Sequence, residues 1–195
     1  PTEDIEAVEM GRILHTIFYE FYSAIRDREL ILSGCSEKDF KIAENLIFKI
    51  AEQQLKTAAF KSPLTFYEKE KIIGLRGDKK ESVLYRFLES ERSGEKDFIP
   101  KYFEVSFGRL RQEESDKILS DSDPVQIGSI KLRGKIDRID VNEKIKSFNI
   151  IDYKLGGSKP SFSDLKKGIS LQLPVYMYAA RELLNKKLDA IYSPN

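Results

Sequence analysis

Asp137, Asp152 and Lys154 are the residues whose types and spacing point most directly to chemistry. An apolar run, Phe148 to Ile151, ends in Asp152, and Lys154 follows two residues later. Residues two apart on a β-strand project to the same side, so Asp152 and Lys154 leave one strand end together. Asp137 comes from a strand shortly upstream, in Gly134-Lys135-Ile136-Asp137. Two carboxylates and one ammonium at neighbouring strand ends suit phosphodiester hydrolysis with a divalent metal. Carboxylates hold a hard cation such as Mg²⁺. The cation activates a water and screens the phosphate, and the lysine orients that water or stabilises developing charge.

Other residues could join this set, and each also has an ordinary reading. Alternation along Asp137-Arg138-Ile139-Asp140 turns Asp137 away from Arg138 and Asp140; a strand-end acid by itself is commonly just solvated. Gln172 and Tyr176 are four apart and share a helix face. Pro174 between them is tolerable if Ser170 caps the helix, because the first helical N–H groups have no intrahelical partner. Such a start aims N–H groups and the Gln172 amide outward and favours anions, phosphate included; alternatively it is a capped helix with a half-buried tyrosine. His15, the single histidine, is either structural or a nitrogen ligand for a divalent metal. Gly11, one turn earlier, would let a backbone or a DNA strand approach closely. Glu104 is either a further acid at the site or an exposed strand residue.

The elements that must position these residues follow from periodicity. Ile5, Val8, Ile13, Leu14, Ile17, Phe18, Phe21 and Ile25 recur at helical spacing, with Gly34 as the stop. Ser36 caps a second helix carrying Phe40, Ile42, Ala43, Leu46, Ile47, Ile50, Ala51 and Leu55. Pro63 marks a break, and a third helix spans about 79–91 with Val83, Leu84, Phe87 and Leu88 inward. The pattern then changes. Residues 101–107 alternate, with Phe103, Val105 and Phe107 on one face and Tyr102, Glu104 and Ser106 on the other. Residues 109–123 read as a polar loop. Strands are expected at 125–132, 134–141 and 146–153, with a turn at 142–144, a Gly156-Gly157 and Pro160 loop, a helix from about 170 to 185, and a last strand at 188–192. The expected fold class is α/β: a central mixed sheet flanked by helices, with a helical N-terminal half. One domain is expected over residues 1–195, helical to about 95 and catalytic from about 100.

Composition narrows the classes. The 195 residues carry 33 Lys and Arg against 32 Asp and Glu, a net charge of +1. Nucleic-acid binding therefore needs a local patch. Lys131, Arg133, Lys135, Arg138, Lys159, Lys166 and Lys167 could supply one, or be a solvated face. Cys35 is the one cysteine, which excludes an internal disulfide and fits a reducing cytoplasm. No signal-peptide pattern or bilayer-length apolar stretch occurs, so no membrane partner is expected. Residues 128–136 miss the phosphate-loop spacing, with Ile136 where Ser or Thr would bind Mg²⁺. One upstream histidine offers no convincing nucleophile partner for a serine or cysteine triad.

Taken together, Gly11-x-x-x-His15, Glu104, Gly134-x-x-Asp137-Arg138-x-Asp140, Asp152-Tyr153-Lys154 and Gln172-x-x-x-Tyr176 resemble the motif series of the PD-(D/E)xK nucleases. The resemblance is to the RecB/AddB-type branch, shared with CRISPR adaptation nucleases, and runs from Gly11 to about Tyr192. It implies a restriction-endonuclease-like fold. It makes His15, Asp137, Asp152 and the Tyr153 carbonyl ligands of Mg²⁺ or Mn²⁺, and Lys154 the catalytic lysine. Glu104 matches the earlier acidic position. Gln172 and Tyr176, with Gly11 and Arg138, support the site or contact DNA. Many members of that branch hold an iron–sulfur cluster on four cysteines; Cys35 alone cannot. The activity implied is a deoxyribonuclease, exonuclease rather than endonuclease, processing single-stranded ends in recombination or repair beside a helicase module in the same or a partner chain. The chain is expected to be excised from such a larger protein. The alternative is a catalytically inactive DNA-binding module of the same fold.

Overall fold

The computed structural model describes residues 2–57, 63–74, 78–108, 115–154, 163, 167 and 171–195, leaving aside the side chains of 2–8, 57, 63–66 and 68. It divides into two compact units, residues 1–96 and 97–195.

The first unit is helical: α1 (Thr2–Arg26), α2 (Glu37–Thr57), α3 (Pro63–Ile73) and α4 (Val83–Ser93), with a 3₁₀ turn at Lys79–Glu81. Its core gathers Leu14, Ile17, Phe21, Ala43, Ile47, Ala51, Leu84 and Leu88. Phe18 and Tyr22 flank Phe87 at 4.4 and 6.1 Å between ring centroids. Ser36 accepts a hydrogen bond from the Asp39 N–H at 3.2 Å and donates to its carboxylate at 2.7 Å, so it caps α2 as its sequence suggests.

Several expectations are corrected here. The stop of α1 is not Gly34 but Glu29, at φ 54, with the Leu30 N–H donating back to Ile25. This is the left-handed helix end usually made by glycine. Pro63 opens α3 rather than only breaking the chain, because proline fits the first helical position. Residues 79–82 are not part of a regular helix: α4 begins after Ser82, whose hydroxyl accepts from the Tyr85 N–H. Ile42 stands 40% exposed while Glu44 is buried beside Lys41 and Lys79.

The second unit holds β1 (Ile99–Phe107), β2 (Val125–Ile127), β3 (Ile130–Leu132), β4 (Gly134–Asn142), β5 (Ser147–Ile151), α5 (Gln172–Leu188) and β6 (Ser193–Pro194). The sheet order is β1-β4-β5-β6, with two antiparallel pairings and a parallel last one. This is a mixed sheet, as expected. Ala179, Ala180, Leu183 and Leu184 of α5 pack against Val105, Phe107, Ile136, Ile139, Val141 and Phe148. Each such large apolar side chain contributes about 1.5–3 kcal/mol on burial.

The expected strand at 125–132 is instead the hairpin β2–β3, turned at Gly128 with φ 58. Glycine supplies the positive φ that a two-residue hairpin turn demands. Within the expected loop at 109–123, residues 109–114 lie outside the description, but 115–121 line the edge of β1. The Asp116 N–H donates to the Glu104 carbonyl, the Asp121 N–H to that of Ser106, and the Ser106 N–H to the Ser120 hydroxyl. The last strand is shorter and later than expected, because α5 continues to Leu188 and closes at Asp189 with φ 48. Leu171 takes the cap position of α5 without a side-chain bond; Ser170 lies outside the described residues, as do Gly156, Gly157, Lys159, Pro160 and Lys166.

Candidate active site

The strand registers assemble a row of acids. In the β1–β4 pairing, Phe103 faces Arg138 and Val105 faces Ile136, so Glu104 falls opposite Asp137. In the β4–β5 pairing, Arg138 faces Ile151, so the next step sets Asp152, just past the end of β5, opposite Asp137. Carboxylate oxygens of Glu104 and Asp137 lie within 4.8 Å of each other, and the two residues are only 4% and 8% exposed. Like charges directly across paired strands oppose folding, and a buried charge is costly unless compensated. Lys135 supplies part of the compensation, 2.5 Å from Glu104. The Tyr153 N–H supplies another, donating to Asp137 Oδ2 at 2.8 Å.

The backbone is bent at this row. Alternation along β1 assigns Tyr102 and Phe107 to opposite faces, yet both join Val105 in the core, and Ile136 and Ile139 do the same on β4. The side-chain phase reverses at Glu104, whose φ is 54. A non-glycine residue in the left-handed region costs about 1–3 kcal/mol and persists where surrounding structure enforces it. Neither Glu104 nor its neighbours carry the glycine or asparagine that would have announced this.

Asp152, Lys154 and Gln172 close a ring. Lys154 Nζ lies 2.7 Å from Asp152 Oδ2 and donates to Gln172 Oε1 at 3.2 Å. The Gln172 amide donates to Asp152 Oδ1 at 3.0 Å. Gln172 reaches the ring because it is the first residue of α5. The hydrogen bond to Asp152 holds the Lys154 ammonium above its ordinary range; burial opposes this, and the charges of Asp152, Asp137 and Tyr176 add smaller contributions. Lys154 is therefore a cation at neutral pH, a charge rather than a free amine base.

Behind the row, Arg138 and Asp140 form a buried fork: Nε to Oδ1 at 2.5 Å and Nη2 to Oδ2 at 2.6 Å. Arg138 Nη1 also donates to the Tyr153 phenol at 3.2 Å. Arg138 is 4% exposed, so the structure places it beneath the site and not on an open phosphate-binding surface. Tyr176 packs edge-on to Phe107 at 6.3 Å, over Gly134, where a Cβ would come within 2.8 Å of Phe107 and 3.2 Å of Tyr176. His15 and Gly11 lie on α1 of the first unit. A Cβ on Gly11 would meet nothing within 4 Å, so packing among the described residues does not require a glycine there. Sequence reasoning does not single out Lys135 or the Asp140 carboxylate as supports of the site. The signal for Asp140 is its i, i+2 spacing from Arg138 on one strand.

The donor set fits a hard divalent ion. Glu104 and Asp137 offer carboxylate oxygens within 4.8 Å of each other, Asp152 follows just past the paired end of β5, and such oxygens suit Mg²⁺ or Mn²⁺. A cation there would relieve the opposed charges that the strands hold together.

The sequence matches the PD-(D/E)XK nuclease superfamily over residues 1–193, and the mixed α/β architecture agrees with a restriction-endonuclease-like fold. The chain is 30% identical over 191 residues, 94% of its length, to a subunit of the ATP-dependent helicase/deoxyribonuclease of Carboxydothermus hydrogenoformans, of which this covers 16%. The subunits of the same name from Caldanaerobacter subterraneus subsp. tengcongensis and Clostridium perfringens are 29% and 28% identical over 91% and 90% of the chain. The chain spans about 15% of the length of these two relatives. Among the described residues, no helix is long and apolar enough to cross a membrane.

Proposed function

The chain belongs to the PD-(D/E)XK nuclease superfamily, and from that premise we propose that it hydrolyses DNA phosphodiester bonds with Mg²⁺ or Mn²⁺. The observation that carries this reading is the row Glu104–Asp137–Asp152 beside the charged Lys154. Asp137 and Asp152 would hold the ion, with the Tyr153 carbonyl, and Glu104 would be a further oxygen donor to it. By the family pattern His15 would be the nitrogen ligand of the set. When bound, the ion supplies Lewis-acid activation of a water and charge screening of the phosphate. Lys154 places an ammonium where negative charge develops on the phosphoryl oxygens. Gln172 holds Lys154 and Asp152 at a fixed separation through both ends of its amide. The Tyr153 N–H orients the Asp137 carboxylate.

The relatives are named as helicase and deoxyribonuclease together. Correspondingly, we assign this chain to DNA-end processing in recombination or repair, as an exonuclease acting on single-stranded ends that a helicase module delivers, in the cytoplasm. Arg138 would support the site from below, and Gln172 and Tyr176 would support it or contact DNA, as the family pattern implies. The test is cleavage of end-labelled single- and double-stranded DNA with Mg²⁺, with Mn²⁺ and with EDTA. The expected result is product from single-stranded ends with either metal and none with EDTA. DNA that is bound but uncut under every condition would replace this reading with a catalytically inactive binding module.

A further inference from the structure

We infer that the buried Arg138–Asp140 pair is a positioning device that sets the site through Tyr153. The inference rests on the nuclease reading above but is carried by separate geometry. Arg138 and Asp140 are 4% and 6% exposed and meet through a two-bond fork. Replacing a buried ion pair with apolar side chains of similar volume is often neutral or stabilising, so stability is a weak reason to bury one. What the fork gives is direction. A guanidinium held along one edge by two bonds has its plane fixed, and its remaining nitrogen, Nη1, then points at the Tyr153 phenol, 3.2 Å away.

Tyr153 passes that constraint on. Its phenol is held by Arg138, its N–H holds the Asp137 carboxylate at 2.8 Å, and its two chain neighbours are Asp152 and Lys154. These three residues lie beyond Ile151, where the β4–β5 pairing ends, so the sheet no longer fixes their backbone. The phenol–guanidinium bond replaces the missing ladder. One rigid fork thus references one carboxylate directly and the acid–lysine pair through the chain. Arg138, Asp140 and the Tyr153 phenol are positioning residues; none needs to touch substrate.

Tyr153→Phe tests this, because it deletes one oxygen and leaves the ion pair intact. Three readouts are compared in variant and wild type: amide exchange of the Tyr153 N–H by NMR in metal-free protein, Mn²⁺ affinity by calorimetry, and kcat and KM on a labelled single-stranded oligonucleotide. The expected result is faster exchange at residue 153, with Mn²⁺ affinity and kcat each reduced roughly tenfold, the low end for loss of a partner that orients a metal ligand, and KM within about twofold. Arg138→Lys keeps a charge but loses the fork, and should match Tyr153→Phe in exchange; if it fails to fold, Tyr153→Phe still decides. Unchanged exchange at residue 153 overturns the inference, as does a variant with only a lower Tm. A wild type that cleaves no DNA, with exchange still quickened in the variant, overturns the nuclease reading and leaves the positioning role standing.

Discussion

The two ends of the β4–β5 hairpin handle carboxylates in opposite ways. At the turn, Glu143 is surrounded by donors: Lys101, Lys146 at 2.9 Å and the Tyr192 hydroxyl at 2.6 Å. Hydrogen bonds from Lys101 first, then Tyr192 and Lys146, pull its pKa to about 2. At the open end, Asp137 faces Glu104 on one side and Asp152 on the other. One end matches a single acid with several donors and ties the hairpin to β1 and to Tyr192. The other end stacks acid on acid across three chain segments. A carboxylate with a lysine beside it is thus no mark of chemistry, since both ends have that. Accumulated like charge, with Glu104 and Asp137 set across paired strands and Asp152 just past the end of the next, is what distinguishes the open end.

The sharpest way to break this comparison is to remove the lysine of each end. Lys154→Ala should lower cleavage by roughly a hundredfold or more, the scale for losing a group that stabilises transition-state charge. DNA affinity should change little. Lys146→Ala should leave the cleavage rate as it is and lower Tm. If Lys154→Ala cleaves normally, the open end is not the active site.

Much of that open end is legible in the sequence. Asp137, Asp152 and Lys154 can be set together because strand periodicity needs only residue spacing. Gln172 and Tyr176 can be set on one helix face for the same reason. The row itself cannot be read that way, since it depends on register, and register depends on where the turn at Asn142 closes. Asn142 accepts from the Lys144 and Ile145 N–H groups, which places the turn at 143–146, one residue beyond the expected position. The phase reversal at Glu104 is hidden because a glutamate at φ 54 is held there by its surroundings, not by local preference. In the first unit α3 escapes any reading that treats Pro63 only as a breaker. The proline sits at the helix start, where its missing N–H costs nothing.

The turn end makes a pH prediction. Glu143 falls from an ordinary value near 4.5 to about 2 on folding. A group whose pKa is depressed in the folded state stabilises it above the unfolded value and loses that contribution as pH falls through the folded value. The Tm difference between wild type and Glu143→Gln should therefore be full above about pH 4.5 and shrink towards zero near pH 2. The carboxylate is 47% exposed, so screening reduces the size of the effect but not its window. A difference that stays constant from about pH 6 to about pH 2 would show that Glu143 is not the titrating partner.

The open end should respond with the opposite sign. Asp137→Asn keeps an oxygen for the Tyr153 N–H and removes one of the stacked charges. In metal-free protein it should raise Tm by about 2–4 °C, the shift that accompanies a stabilisation of about 1 kcal/mol in a domain of this size. It should also abolish the Tm increase expected of Mn²⁺ binding to the wild type by mass action. A metal-free Asp137→Asn protein less stable than wild type would mean the row is already balanced by protein charges, and that the contrast between the two ends is one of geometry only.

The smallest effect belongs to Gln172. Its side chain bridges Asp152 and Lys154 but lies exposed in the first turn of α5, outside the apolar core. Two hydrogen bonds to charged groups in water-accessible surroundings contribute little stability, about 1 kcal/mol net. Gln172→Ala should therefore lower Tm by no more than about 2–4 °C, the shift that about 1 kcal/mol gives in a domain of this size. Its loss frees Lys154 to swing away from Asp152, so kcat should fall about fivefold, corresponding to that 1 kcal/mol in the transition state. Gln172→Glu should be worse than Gln172→Ala, because it adds a carboxylate against Asp152 and draws the Lys154 ammonium to itself. The reverse order of the two variants would mean that Gln172 serves the helix start and not the acid–lysine pair. A large fall in Tm with unchanged turnover would say the same.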